Sequence, residues 1–156
     1  MRLLNVDTFR FTEYFGTTPP PYAIASHRWT AGAEAMWEDV QERQRTDTAG
    51  YREVQGFVAY MRTHLPLVKW LWVDTCCIKQ QSDRELSAAI NSMFQWYRDA
   101  EVCLAYLEDV PTVSDMGTFA QSVWFRRGWT LQELLAPGVV IFLSRDWGIT
   151  LVRSLR

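Results

Sequence analysis

Short, continuous apolar runs alternating with stretches of helical periodicity are what most constrain this chain. Tyr22-Ala23-Ile24-Ala25, Trp70-Leu71-Trp72-Val73, Val102 to Leu107 and Val139-Val140-Ile141-Phe142-Leu143 each read as a strand buried on both faces. Between the first two, Val54, Phe57, Val58, Met61 and Leu65 recur at helical spacing, and Pro66 ends the run. Between the second and third, Leu86, Ala89, Ile90, Met93 and Tyr97 share one helical face. That segment opens on Ser82-Asp83-Arg84-Glu85, a capping-box pattern in which Glu85 is the partner of Ser82. Trp129 to Leu135 reads as a further helix, stopped at Pro137. Parallel neighbours need a crossover segment, so this order predicts an α/β fold with a parallel sheet of about four to five strands and helices on both faces.

The rest of the chain is placed around that core. Residues 1–21 read as an N-terminal β arm or hairpin, from Leu3-Leu4-Asn5-Val6 and Phe9-Arg10-Phe11, with a Pro-rich link at Pro19-Pro20-Pro21. The core runs over 22–143, and 144–156 reads as a C-terminal tail. A short helix is expected around Glu34 to Gln41, and a loop or short helix over Ser114 to Gln121. With 156 residues, 48% of them hydrophobic, one domain is expected.

Charge and cysteine usage narrow the partners. Lys plus Arg number 16 against 18 Asp plus Glu, a net charge of −2, which argues against a nucleic-acid surface. No apolar run nears the roughly 18 residues of a membrane span, and the N-terminus lacks a signal-peptide core. The three cysteines, Cys76, Cys77 and Cys103, make an odd total with no CxxC pair, as expected for a reducing, cytoplasmic setting. Neither they nor the two histidines show zinc-ligand spacing, so no metal and no required cofactor are expected. Eight tryptophans exceed what a small core needs, and some should line a site or an interface.

In parallel α/β sheets ligands bind beyond the carboxyl ends of the strands. Ser26-His27-Arg28-Trp29 and Asp74-Thr75-Cys76-Cys77 stand at two such ends. Arg28 is suited to a diphosphate; His27 either acts chemically or orients the loop; Asp74 either binds a ribose hydroxyl or caps the following turn. Trp29, Trp96 and Trp129 are candidates for stacking on adenine or nicotinamide, whereas Trp70 and Trp72 read as core or inter-domain residues. Cys77 joins the candidate ligand-binding residues by position. Adjacent cysteines on a strand-exit turn are, however, ordinarily packing residues rather than a nucleophile working with His27.

Three ordered blocks carry a resemblance. Tyr22 to Trp29 is one. Trp72-Val73-Asp74-Thr75-Cys76-Cys77-Ile78, continuing through Glu85 and Ile90 to Ala100, is the second, and Trp124-Phe125-Arg126-Arg127-Gly128-Trp129-Thr130-Leu131-Gln132-Glu133-Leu134-Leu135-Ala136-Pro137 is the third. Together with Met1-Arg2-Leu3-Leu4-Asn5 they resemble the fungal HET (heterokaryon incompatibility) domain over nearly the whole chain. Thr30 replaces a usual glycine, and Lys79-Gln80-Gln81 stands where an acidic residue is common. The resemblance implies a module of self/non-self recognition that triggers programmed cell death, with a distantly TIR-like (flavodoxin-like) fold. TIR enzymes cleave NAD with a glutamate four residues after a tryptophan, and Trp129 and Glu133 have that spacing. By this resemblance Glu133 is the catalytic carboxylate, NAD is the substrate, and activity follows self-association.

From the residues alone, Glu133 reads more readily as a surface carboxylate paired with Arg126 or Arg127. Leu131, Leu134 and Leu135 are expected to form the buried face of its helix, with Trp129 and Glu133 displaced from it. The expected activity is that of a NAD glycohydrolase. The alternatives are a non-enzymatic module that signals by homotypic assembly, or a nucleotide-binding regulatory domain without catalysis. The chain stops soon after Trp147-Gly148, where longer relatives continue, so a truncated or stand-alone form is expected.

Overall fold

The computed structural model describes residues 1–114 and 116–155. Asp115, inside the Ser114–Gln121 segment, and Arg156, at the end of the expected tail, lie outside the described residues. The elements in chain order are β1 (Arg2–Asn5), β2 (Arg10–Glu13), β3 (Tyr22–Ser26), α1 (Trp37–Glu42), α2 (Ala49–His64), β4 (Trp70–Trp72), α3 (Asp83–Asp99), β5 (Val102–Leu107), α4 (Met116–Gln121), a 3-10 turn (Val123–Arg126), α5 (Thr130–Leu135), β6 (Val139–Ser144) and β7 (Ile149–Ser154). The chain divides into two compact units, Met1–Ala23 with Trp29–Met93, and Ile24–Arg28 with the chain from Phe94 onward.

In the first unit β1 pairs antiparallel with β2, Arg2 opposite Glu13 and Asn5 opposite Arg10. The Asn5 side-chain oxygen accepts from the backbone N–H groups of Asp7 and Thr8, which closes the turn between them. β1 also pairs antiparallel with β4, Leu4 opposite Leu71. The expected N-terminal hairpin is present, and its first strand buries Leu3 and Leu4 completely. α2 starts where the Thr48 hydroxyl accepts from the Tyr51 N–H, and it buries Val54, Phe57, Val58 and Met61 as their spacing predicts.

In the second unit β5 and β6 run parallel, Cys103 opposite Val140 through Leu107 opposite Ser144. All six residues of β5 are buried. β7 pairs antiparallel with β6, so the expected tail is a strand. Its residues are mostly exposed, which leaves no clean alternation of apolar and polar side chains to betray it. Beneath β6, Phe142 is ringed by Phe119, Trp124 and Phe125, with ring centroids 5.4–5.8 Å away.

The α/β class holds, but the expected parallel sheet of four to five strands does not. Among the described residues the strand order is β2-β1-β4-β3-β5-β6-β7, seven strands, and the sheet is mixed. The physical reason is local: hairpin and return connections too short for a crossover helix force antiparallel pairing at β1–β2 and β6–β7. α3 forms where the periodicity places it, burying Ala89 and Tyr97, although Ile90 is exposed. Its capping box is only half formed. The Glu85 N–H donates to Ser82 Oγ at 3.3 Å, while the Glu85 carboxylate turns instead to the Lys79 N–H and to Arg2. Among the described residues no helix is long and apolar enough to cross a membrane.

Candidate functional site

The second unit holds a buried polar cluster around Glu133. β3 delivers Ser26 at its last position, every residue of the strand being buried. Ser26 Oγ donates to Glu133 Oε2 at 2.7 Å and accepts from Trp124 Nε1 at 2.8 Å, so both capacities of the hydroxyl are used. Arg127 grips the same carboxylate with both arms of its guanidinium, Nη1 to Oε2 at 3.0 Å and Nη2 to Oε1 at 3.3 Å. Glu133 is 3% exposed. A charge at that depth persists only if paired and hydrogen-bonded, and here Ser26 and Arg127 answer it. Thr130 Oγ1 donates to the Trp124 carbonyl at 2.5 Å and locks the first turn of α5 onto the preceding 3-10 turn.

These bonds decide which way α5 faces, and they overturn one expectation. Leu131 and Leu135 are 67% and 60% exposed, while Thr130 and Glu133 point inward. A six-residue helix has too little apolar face to set its own orientation, and the buried polar bonds set it instead. Trp129 caps the helix and is 51% exposed, so its ring and the Glu133 carboxylate meet different surroundings despite their spacing. The pairing of Glu133 with Arg127 is present, but as a buried ion pair rather than a surface one.

His27 follows Ser26 and is buried. Arg28 forms an ion pair with Glu108. Beneath the cluster, burial first and the nearby Glu133 charge second push the Cys103 thiol well above its ordinary range.

In the first unit Trp29 donates from Nε1 to Asp74 Oδ2 at 2.8 Å, and the Asp74 carbonyl accepts from Gln80 Nε2 at 2.9 Å. Cys77 works inside the turn: its sulfur accepts from the Val73 N–H and donates to the Leu71 carbonyl. All three cysteines are buried, the environment of packing thiols. Sequence reasoning missed Arg2, whose buried guanidinium bridges Glu13 and Glu85 and donates to the Cys77 carbonyl. It also missed the roles of Trp124 and Thr130, which a buried tryptophan needing an acceptor for its N–H would have suggested.

The sequence profile of the heterokaryon incompatibility protein (HET) family matches residues 22–120. Vegetative incompatibility protein HET-E-1 of Podospora anserina is 43% identical over 136 residues, an alignment covering 81% of this chain. The chain belongs to the HET family. It spans about 10% of the length of that relative. The profile match of this HET domain takes in Ser26 and Asp74 and ends before Arg127 and Glu133. No solved structure gives a significant match to this chain.

Proposed function

We propose that this HET domain is a cell-death effector of incompatibility-type self/non-self recognition, cleaving the nicotinamide–ribose bond of NAD when clustered, with Glu133 as its catalytic carboxylate. The observation carrying this reading is the buried Glu133 carboxylate, joined to the strand-end residue Ser26 and backed by Arg127. In the reaction the electron pair of the C–N bond leaves with neutral nicotinamide, and positive charge develops on the ribose. A fixed carboxylate stabilises that charge, as in glycoside hydrolysis. Water then adds at the anomeric carbon and gives its proton to the carboxylate. The Arg127 fork holds both carboxylate oxygens and must loosen for Oε1 to take a ribose hydroxyl.

The test is nicotinamide release by purified protein fused to an oligomerising scaffold. Wild type should turn over, and Glu133→Gln should lose on the order of 100-fold or more. No turnover by clustered wild type, or equal turnover by the variant, overturns the reading.

A second reading, a non-enzymatic module signalling by homotypic assembly, is favoured by the apolar outer surface of α5, where Trp129, Leu131 and Leu135 are all exposed. If cell killing survives Glu133→Gln and is lost in Leu131→Glu/Leu135→Lys, that reading replaces the first. NAD or ADP-ribose binding by calorimetry without product would instead mark a regulatory nucleotide-binding domain.

A further inference from the structure

The first unit contains a cavity of about 620 Å³, bounded by the β1–β2 turn, the end of α1 and one face of α2. That volume is within the range of small-molecule sites. Its lining combines two guanidiniums, Arg43 and Arg62, with the hydroxyls of Thr8, Thr46 and Tyr51 and the ring of Phe9. The single carboxylate in the lining, Asp7, is paired with Lys69 at 3.2 Å, so the balance of charge facing the cavity is positive.

Two features show a surface built in advance. Arg62 is held on the turn by Nε to the Val6 carbonyl at 2.7 Å and Nη2 to the Asp7 carbonyl at 3.2 Å, which fixes the plane of its guanidinium. Arg43 and Phe9 are non-glycine residues with left-handed backbones, φ 56° and 54°. Each conformation is sustained by a backbone bond, Arg43 as the cap of α1 donating to the Asp39 carbonyl and Phe9 donating to that of Asn5. Such strain costs on the order of 1 kcal/mol or more per residue and concentrates where a side chain must be aimed. The Arg43 side chain is exposed, and its charge lies near enough to the Tyr51 phenol to act on it. The Phe9 ring lies tilted over Tyr51 at 5.9 Å. Burial raises the Tyr51 phenol despite the Arg43 charge nearby, so its hydroxyl stays a donor.

We propose that this cavity binds a small phosphomonoester with an aromatic body, the phosphate between Arg43 and Arg62 and the ring against Phe9. Planar guanidiniums suit the oxygens of a phosphate dianion, and the threonine and tyrosine hydroxyls supply further donors. Its lining shares no residue with the Glu133 cluster.

Isothermal titration of the purified chain with phenyl phosphate, inorganic phosphate and benzyl alcohol tests it. Phenyl phosphate should bind saturably and at least 10-fold tighter than either other probe. Arg43→Gly removes the guanidinium while relaxing the left-handed backbone; it should weaken phenyl phosphate at least 10-fold with an unchanged or raised melting temperature. Glu133→Gln should leave this binding unaltered, which separates the site from the NAD reading. Absence of saturable binding by wild type, equal affinity for phenyl phosphate and inorganic phosphate, or undiminished affinity in Arg43→Gly overturns the proposal.

Discussion

Ser26 and Glu133, separated by 107 residues of sequence, share a buried 2.7 Å hydrogen bond that ties the end of β3 to α5. The same hydroxyl accepts from the Trp124 indole. Ser26→Ala would strip one partner from a buried carboxylate and the acceptor from a buried N–H. The expected loss is about 1–3 kcal/mol for each group left unsatisfied, read as a lowered urea midpoint with an unchanged slope.

Arg127 and Glu133 form a buried ion pair in the second unit. Arg127→Met leaves the carboxylate's charge largely unanswered and should cost about 3–5 kcal/mol. The double variant Arg127→Met/Glu133→Gln should be more stable than Arg127→Met, because it removes the stranded charge. Urea denaturation of the full double-mutant cycle checks this, and additive losses would show that the two groups are not coupled.

Gly50, in the first turn of α2, sits against the backbone of the 33–35 segment. A Cβ there would lie 2.6 Å from Glu34 Cα and 2.7 Å from the Ala33 carbonyl oxygen. Helix propensity alone favours alanine by about 1 kcal/mol. The backbone clash reverses the sign, and Gly50→Ala should destabilise by about 1–3 kcal/mol or more, measured as a drop in melting temperature.

Glu85 links the start of α3 to β1 through Arg2 at 2.5 Å. Burial by itself raises its carboxyl, but the hydrogen bond from Arg2, with that from the Lys79 N–H, outweighs burial and holds the group below its ordinary pKa. A depressed folded-state pKa means that the unfolded chain takes up the proton first. The contribution to stability is therefore complete above about pH 4.3, the unfolded value, and is lost as the pH falls through the lower folded one. Glu85→Gln should flatten that part of the stability–pH curve, as followed by urea midpoints from pH 6 down to 3. A curve of unaltered slope would sink the assignment.

Much of the frame is legible in the sequence. Tyr22 to Ala25, Trp70 to Trp72, Val102 to Leu107 and Val139 to Leu143 are strands, as continuous apolar runs of that length predict, with Trp70, Val139 and Ile141 half-buried and the rest buried. β7 escaped because Ile149, Leu151 and Val152 lie exposed on a strand at the end of the sheet order, where burial imposes no period. The β1–β2 hairpin is legible as two short β-type runs, whereas the pairing of β1 with β4 is not, because four residues carry too little pattern to name a second neighbour. At the site, Ser26 and Glu133 stood out as candidates by strand-end position and by resemblance. Their mutual bond, and the share of Arg127 and Trp124 in it, required coordinates.

The sequence alone determined the α/β class, the places of the buried strands and of α2 and α3, and membership of the HET family. Those properties follow from local periodicity and from ordered motifs, which the chain carries residue by residue. Tertiary structure alone decided that the sheet is mixed, that α5 turns Glu133 inward and its leucines outward, and which donors hold that carboxylate. These depend on pairings between residues far apart in the chain, where a few buried, directional bonds outweigh the weak preferences of a six-residue helix.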